Sequence, residues 1–296
     1  MNIIGHKSIF LSVSGFLALA GVIVIAVFGF KPGIDFAGGT LWQVAFPDGG
    51  ILKDELSGFL ETDLGVSGAV VSEGEGNSFL IRASEIGESS HQNHLLSLQA
   101  KFGKIDELSF QTIGSAVGGE LRRRAITAFV LVLLAISFYI AFAFRKVSRP
   151  VASWKYGLIT LITLFHDALI PAGLMAVLGR TVNAEIDTNF IVAILVVMGF
   201  SVHDTIVVFD RVRENLRVAG SSVKDFSALV NASINQTIAR SVNTSLTLVL
   251  VLLALLAFGP AHLMYFVLII TVGTIVGTYS SIFVASPLLT LWRSKF

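Results

Sequence analysis

The segment Asn189–Phe209 reads NFIVAILVVMGFSVHDTIVVF, and its composition decides the fold class. A helix needs about 20 consecutive, mainly apolar residues to cross the hydrocarbon core of a bilayer, and this segment meets that requirement. It also carries an acidic residue, Asp204, although an ionised carboxylate at the centre of a membrane helix costs about 2.5–3.5 kcal/mol. The segment therefore predicts a membrane-spanning helix with an ionisable group that is a candidate for function.

The rest of the chain repeats this apolar pattern. Of its 296 residues, 54% are hydrophobic and 14% are charged, whereas soluble domains carry about 25% charged residues. We predict a polytopic α-helical membrane protein with six transmembrane helices, the first retained rather than cleaved as a signal peptide. Besides Asn189–Phe209, the predicted spans are Ile9–Phe30, Ala125–Phe144, Tyr156–Leu178, Val242–Phe258 and Leu263–Trp292.

The long connection after the first span has the pattern of a small folded domain. Strands are predicted over Thr40–Phe46, Val66–Ser72, Ser78–Ala83 and Ile105–Ile113, and helices over Leu52–Leu64 and around Leu95–Phe102. This β-α-β-β-α-β order predicts a small α+β domain of the ferredoxin-like type. The predicted organisation is therefore 1–30 for the N-terminus and first helix, 31–118 for the α+β domain, and 119–296 for a five-helix bundle.

The distribution of basic residues predicts the orientation. Twelve Lys and Arg residues occupy the N-terminus, the C-terminus and the short connections on one side, whereas the short connections on the other side hold only Arg180. Because basic residues accumulate in cytoplasmic loops, both termini are expected in the cytoplasm and the α+β domain outside it. Arg122–Arg124 run against this distribution, but a long loop is translocated whatever its charge.

Three spans carry ionisable or strongly polar groups. His166 and Asp167 lie in the third span, and His203 and Asp204 in the fourth. The fifth span begins with polar residues whose spacing places them on one helix face; they are Gln236, Arg240, Asn243, Thr244 and Thr247.

We expect Asp204 and Arg240 to meet in the interior of the bundle. Burial disfavours the charged carboxylate and a guanidinium favours it, so the pair would load and release a proton. The partner of Asp167 is expected to be either His166 or His203. The alternative is that these groups only hold helix to helix, which we favour for Ser201, Asn243, Thr244 and Thr247.

Other chemistry has no support in the sequence. The absence of cysteine excludes disulfides, thiolate metal sites and thiol catalysis. HExxH and Walker-type motifs do not occur, and an arginine near two aspartates disfavours the shared-proton dyad of an aspartyl protease. His91 and His94 lack further ligands at metal-binding spacing, so we interpret them as solvated surface residues. A net charge of +1 gives no indication of nucleic acid. We therefore predict a non-enzymatic protein without cofactor or metal.

Five motifs together resemble the SecD/SecF family of the resistance-nodulation-division superfamily. They are GIDFAGGT at 33–40, GGEL at 118–121, FHD at 165–167, GFSVHDTIVVFDRVREN at 199–215 and RSVNTS at 240–245. The fourth motif is the most specific, and the short extracytoplasmic domain is similar to the SecF branch of the family.

The resemblance implies an auxiliary subunit of the Sec protein-export machinery in the bacterial plasma membrane. Such a subunit acts with SecD, the SecYEG translocon, in some cases YajC, and the translocating preprotein, and it uses the proton motive force. By resemblance, Asp204 carries the proton and Arg240 is its charge partner, while His203 stands where the family has asparagine. The remaining motif residues, expected to be structural, are Asp35, Gly38, Gly39, Thr205, Asn243 and Thr244, with Asp35 capping the turn that leaves the first span. The alternatives are a proton-coupled exporter of small molecules or lipids from the same superfamily, and a passive membrane scaffold.

Overall fold

The computed structural model describes residues 1–74, 76–145, 151–220 and 225–292. The chain divides into a helical unit, Met1–Lys31 with Thr127–Phe296, and a sheet domain, Pro32–Ile126. In chain order the elements are α1 (Lys7–Phe28), α2 (Ile34–Ala37), β1 (Gly39–Ala45), α3 (Lys53–Thr62), β2 (Val70–Glu73), β3 (Ser78–Ala83), α4 (Glu88–Phe102), β4 (Asp106–Ile113), α5 (Ser115–Ala143), α6 (Ser153–Thr181), α7 (Thr188–Ala219), α8 (Phe226–Phe258), α9 (Met264–Ser280), a π-helical segment (Ser281–Ala285) and α10 (Ser286–Leu291).

The six predicted spans are confirmed, since six helices are long and apolar enough to cross a membrane. Several of them extend beyond the predicted ends: α5 begins at Ser115, α7 continues to Ala219 and α8 already begins at Phe226. Hydropathy detects only the apolar part of a helix, whereas the extensions of α7 and α8 are held by a stripe of buried residues that includes Val212 and Val230. Five of the basic residues that predict the orientation lie outside the described residues: Lys146, Arg149, Lys224, Arg293 and Lys295.

Two apolar clusters fill the helical unit, and α6, α7 and α9 are its most buried long helices. One cluster packs residues such as Met198 of α7 against Ile269 of α9. The other joins Tyr156 of α6 and Phe209 of α7 to Ile282 beyond α9. On α7 and α9, the buried residues between the two clusters are predominantly polar. The apolar packing therefore fixes the helices on both sides of a polar layer.

The sheet domain confirms the predicted β-α-β-β-α-β order. Its four antiparallel strands lie in the order β2-β3-β1-β4, with Trp42 opposite Ile81 of β3 and Phe110 of β4. Strand β2 begins at Val70 rather than at Val66, because Gly68 adopts a positive φ of 66° in a turn. Helix α4 is longer than predicted, since its first half is too polar to show a helical stripe.

The structure corrects one prediction for this domain, because His91 is buried rather than solvated at the surface. The side chain is 4% exposed, stacks on Phe110 at 3.6 Å between ring centroids, and bonds through Nε2 to Glu107 Oε1 at 2.6 Å. The same carboxylate oxygen accepts the indole N–H of Trp42 at 3.0 Å. The surface prediction failed because histidine is amphipathic, and here a carboxylate bonds to its Nε2 inside an aromatic core.

The two glycines that follow α2 are required by backbone geometry and by space. Gly38 and Gly39 have φ values of 77° and 120°, and a Cβ on Gly39 would lie 2.7 Å from the carbonyl oxygen of Ala83. Asp35 lies in the first turn of α2, whereas the cap position belongs to Gly33. A negative charge is favourable in a first turn, and the capping role of Asp35 stays a prediction.

Candidate functional site

A layer of buried polar side chains crosses the helical unit between the two apolar clusters. Buried polar groups in such surroundings need hydrogen-bond partners, so the partners define the site. The polar layer consists of Thr160, Thr163, His166 and Asp167 on α6; Ser201, Asp204 and Thr205 on α7; Ser241 and Ser245 on α8; Thr274, Thr278 and Ser280 on α9; and Ser281.

Asp167 is fully buried and is bound by groups from three helices. Its Oδ1 lies 2.8 Å from Nδ1 of the adjacent His166. Its Oδ2 accepts hydrogen bonds from the hydroxyl of Ser201 on α7 and from that of Ser280, the last residue of α9, at 2.7 Å. Of the two expected partners, His166 is therefore the one that Asp167 contacts.

Asp204 lies three residues beyond Ser201 on the same helix and is 1% exposed. The hydroxyl of Ser245 on α8 approaches its Oδ2 at 3.4 Å, and this hydroxyl also bonds to that of Thr278 on α9. No lysine or arginine forms an ion pair with Asp204 within the part of the chain that the structure describes. Asp204 is thus a carboxylate surrounded by hydroxyl groups rather than by a cation.

Thr205 links α7 to the segment that follows α9. Its hydroxyl bonds to that of Ser281 at 3.0 Å, and the Ser281 carbonyl accepts from the hydroxyl of Ser286 at 2.9 Å. Ser281 opens the π-helical segment, a rare backbone form that is frequent at functional sites. The structural role expected for Thr205 stays a prediction, which this contact supports.

Two glycines of α9 allow the backbones of α7 and α9 to approach closely. A Cβ on Gly277 would lie 2.9 Å from the Cβ of Ser201, and one on Gly273 would lie 2.2 Å from a methyl group of Val197. Small residues permit this kind of contact between membrane helices. The close approach brings Ser201 and Ser280 to the same oxygen of Asp167.

The expected ion pair between Asp204 and Arg240 is not formed. Arg240 is exposed, while Ser241 and Ser245 are the residues of α8 that are buried in the polar layer. Successive residues of an α-helix are rotated by about 100°, so burying Ser241 turns Arg240 away from Asp204. The expected polar stripe exists, but it lies on the exposed side of α8.

The other residues of that stripe are exposed, as Arg240 is. Asn243 and Thr244 are exposed, and His203 is exposed on α7 beside the buried Asp204. The buried stripe of α8 consists instead of Ser233, Thr237, Ser241 and Ser245, spaced by four residues. That spacing was the signal available in the sequence for the hydroxyl groups that reach the site.

Cation coordination is not indicated by the residues that the structure describes. Within the described ranges, no group of three or more His, Asp or Glu side chains is arranged to hold a metal ion. Two hydroxyl groups of the polar layer, Ser241 Oγ and Thr274 Oγ1, are buried without a hydrogen-bond partner among those residues. The arrangement is suited to exchanging hydrogen bonds around two carboxyl groups.

Two family models match the sequence. One, described as protein export membrane protein SecD/SecF, C-terminal, matches residues 94–295, and the other, the SecD/SecF GG motif, matches residues 23–46. The chain belongs to the SecD/SecF family. The resemblance predicted from the sequence motifs is thereby confirmed.

Relatives and solved structures extend this match to the whole chain. The protein translocase subunit SecF of Thermobaculum terrenum is 43% identical, over 100% of this chain and 95% of the relative. The SecF subunit of Anaerolinea thermophila is 37% identical over 99% and 94% of the two chains. The crystal structure of SecDF from Thermus thermophilus, a translocon-associated membrane protein, matches with a TM-score of 0.82 and 36% identity, covering 99% of this chain and 38% of that chain. Together with the six apolar helices, these relatives identify a multi-pass protein of the inner membrane.

Proposed function

We propose that the chain is the SecF-type subunit of the Sec export machinery, which acts with SecD and uses the proton motive force to promote completion of preprotein translocation. The relatives named SecF, which match it along nearly its whole length, support the assignment to protein export. The buried carboxylates support the coupling to protons. Proton coupling is not implied by the fold alone, so the polar layer has to supply its physical basis.

The observation that carries this proposal is Asp204, buried in a membrane bundle among hydroxyl groups and without an ion pair to Lys or Arg among the described residues. A hydroxyl group both donates and accepts hydrogen bonds. The hydroxyl of Ser245 therefore donates to an ionised Asp204 in place of the Ser241 carbonyl, and it accepts from a protonated Asp204 while it donates to that carbonyl. The same hydroxyl groups thus satisfy both the ionised and the protonated form of Asp204. A charge that crosses a membrane potential of 100 mV supplies about 2.3 kcal/mol to drive the conversion between them.

Asp167 and His166 form the second proposed station of the relay. Helix α9 contributes a hydroxyl group near each carboxylate. Ser280 bonds to Asp167, and Thr278, two residues earlier, bonds to the Ser245 hydroxyl that approaches Asp204. His203 and Arg240 are exposed residues near Asp204 in sequence or on the neighbouring helix, and we place them on the cytoplasmic exit from the relay.

The orientation assigns the sheet domain to the outside of the membrane. The excess of basic residues in the other connections supports cytoplasmic termini. In that orientation the sheet domain contacts the preprotein as it emerges, and proton passage through the helical unit changes the position of this contact. SecYEG and YajC are the further partners that we propose for the assembled complex.

The exposed polar stripe of α8 is the face that we assign to SecD. Arg240, Asn243 and Thr244 lie on it, and side chains of this kind are unfavourable against lipid tails. A neighbouring membrane helix that offers carboxyl or amide groups would satisfy them. Cysteine pairs placed at position 243 and on SecD should crosslink in the assembled complex if this assignment is correct.

Replacement of Asp204 by asparagine tests the proposed function. We would reconstitute the chain with SecD and SecYEG in vesicles, and measure how much an imposed proton gradient accelerates completion of translocation. Asp210→Asn is the matched control, since Asp210 lies on the same helix but is exposed and paired with Arg213. We expect the acceleration to disappear in Asp204→Asn and to persist in Asp210→Asn.

Full acceleration in Asp204→Asn would reject the proton-carrying role. Intact acceleration with reduced abundance of the complex would indicate the passive scaffold. An exporter of small molecules or lipids would copurify in mild detergent with its lipid or drug rather than with SecD and SecYEG.

A further inference from the structure

Three consecutive arginines stand immediately before the apolar part of α5. Arg122, Arg123 and Arg124 are all exposed, and the apolar run of the helix begins at the next residue, Ala125. From there to its end at Ala143 the helix rises about 28 Å at 1.5 Å per residue. This length is close to the thickness of the hydrocarbon core of a bilayer, about 30 Å. The three guanidinium groups therefore lie at the level of the lipid head groups when α5 spans the membrane.

This turn of α5 carries an excess of positive charge. Arg124 donates to the carboxylate of Glu120, four residues earlier, at 2.8 Å, and the two side chains are 74% and 52% exposed. Such an exposed pair contributes little to stability, and its one carboxylate offsets only one of the three guanidinium groups. Residues 120–124 thus keep a net charge of +2, which favours an anionic ligand.

The three arginines point to different sides of the helix. Successive residues are rotated by about 100°, so the directions of Arg122 and Arg124 differ by about 200°. A single neighbouring helix covers one side of α5 and cannot meet all three side chains, whereas lipid head groups surround a membrane helix. The planar guanidinium group also matches two oxygens of a phosphate, with which it forms paired hydrogen bonds. Both observations favour phosphate-bearing lipids over a partner helix.

Exposed apolar side chains continue from the arginines along the helix. Only 11% of the apolar segment of α5 is buried within the chain. Residues four apart lie on one helix face, and the positions that follow Arg122 at this spacing are exposed and apolar. They are Ile126, Val130, Leu134 and Phe138. The rise from Arg122 to Leu134 is about 18 Å, slightly more than the hydrocarbon depth of one leaflet, about 15 Å. This face therefore offers a charged head and an apolar row as long as an acyl chain.

We propose that this part of α5 binds anionic phospholipids, with phosphate groups on Arg122–Arg124 and an acyl chain along Ile126, Val130 and Leu134. Free phosphate lacks the chain that the apolar row accommodates, and a zwitterionic lipid lacks the net charge that the arginines attract. Binding fixes the depth of α5 in the bilayer, because a shift along the helix axis draws the guanidinium groups into the hydrocarbon or away from the phosphates. The site is separate from the polar layer and does not depend on whether Asp204 carries protons.

Fluorescence quenching by brominated lipids tests the site in the full chain. The sequence has no cysteine, so Ile126→Cys carries a single fluorophore beside the arginines. Ile275→Cys carries the same fluorophore at an exposed position of α9, a helix without Lys or Arg. Each protein is reconstituted in equimolar phosphatidylglycerol and phosphatidylcholine, with either the first or the second lipid brominated. The ratio of the two quenching efficiencies measures local enrichment of the anionic lipid, which we expect to be at least about threefold at position 126 and absent at position 275.

Two triple variants show whether the arginines cause the enrichment. The test variant combines Arg122→Gln, Arg123→Gln and Arg124→Gln, and it should lower the ratio at position 126 to that at position 275. The matched control removes the same charge from α7. It combines Arg211→Gln, Arg213→Gln and Arg217→Gln, and it should leave the ratio at position 126 unchanged. Equal ratios at the two labelled positions, or an equal loss in the two triple variants, would overturn the proposal.

The same measurement on the chain assembled with SecD distinguishes a lipid from a protein on this face. Enrichment that persists at position 126 supports the lipid site. Loss of quenching by both brominated lipids would show that a partner helix covers this face, and would overturn the proposal. Because quenching requires no proton gradient, its outcome is decided separately from that for Asp204→Asn.

Discussion

Replacement of Gly273 by alanine tests whether direct packing of α7 on α9 holds the polar layer together. The added Cβ would lie 2.2 Å and 2.6 Å from the two methyl groups of Val197 and 3.0 Å from its Cβ. Favourable contacts between carbon atoms begin near 3.5 Å, so the shortest distance has to grow by about 1.3 Å. Rotation of Val197 does not relieve the clash, because both methyl groups are involved and a helix allows valine essentially one rotamer.

The expected loss of stability follows from this displacement. Overpacking of a well-packed core costs typically about 1–3 kcal/mol, and a movement of this size places Gly273→Ala near the upper end of that range. The measurement is the unfolding of the full chain in mixed micelles with increasing dodecyl sulfate, followed by circular dichroism. Gly199→Ala is the control on α7, since its Cβ would meet nothing within 4 Å, and alanine is the better helix former by about 1 kcal/mol.

A double variant separates the clash from other effects of the substitution. Val197→Ala removes both methyl groups and by itself should cost about 1–3 kcal/mol of buried apolar contact. If the clash is the cause, the double variant loses at least about 1 kcal/mol less than the sum of the two single losses. Additivity within about 0.5 kcal/mol would refute the packing argument.

Two further predictions concern the sheet domain. Gly39→Ala combines a φ of 120° with a Cβ only 2.7 Å from the Ala83 carbonyl oxygen, so it should cost more than about 1 kcal/mol and increase hydrogen exchange in β1 and β3. Gly50→Ala, with a φ of 81° but open space, should cost less, and equal losses would contradict the steric part of the argument. Burial and, second, the charge of His91 lower the pKa of His94 below its ordinary value of 6.5. The unfolded chain then binds more protons below about pH 6.5, and stability falls with decreasing pH. His94→Gln should therefore lose less protection of the α4 amides than the parent when the pH is lowered from about 7 to about 5.5, and an equal loss would exclude His94 as the cause.

The fold was predictable where one physical property determines each element. Uninterrupted apolar length predicts a membrane helix, and alternation with turn residues predicts the strands around Trp42 and Ile81. The errors occur where tertiary contacts override composition. The first turns of α4 and the ends of α7 and α8 are polar in sequence, and they are helical because a few buried residues such as His91 or Val212 pack them against neighbouring elements.

The site was predictable only in part, because burial of a residue depends on the rotation of its helix. Asp167 and Asp204 are conspicuous in apolar segments, but the partner of Asp204 depends on which stripe of α8 faces inward. The difference lies in the polar atoms that each stripe has to satisfy. Hydroxyl groups can bond within their own helix, as Ser245 does to the Ser241 carbonyl at 2.9 Å, so they are cheap to bury. Arg240 has five donors to satisfy, and exposure is the less costly solution.

We propose that helix α9 couples the states of the two carboxyl groups. It supplies Ser280 to Asp167 and, two residues earlier, Thr278 to the hydroxyl that contacts Asp204. Residues two apart on a helix lie about 3 Å apart along its axis but point to different sides, so we expect the coupling to act through a displacement of α9 rather than through contact between the two hydroxyl groups. The π-helical segment begins at the next residue, Ser281, and its wider turn is where a small change of register is least costly. We therefore expect a change in protonation of Asp204 to be transmitted through α9 into this segment, and hydrogen exchange of the 278–286 amides to differ between the parent chain and Asp204→Asn.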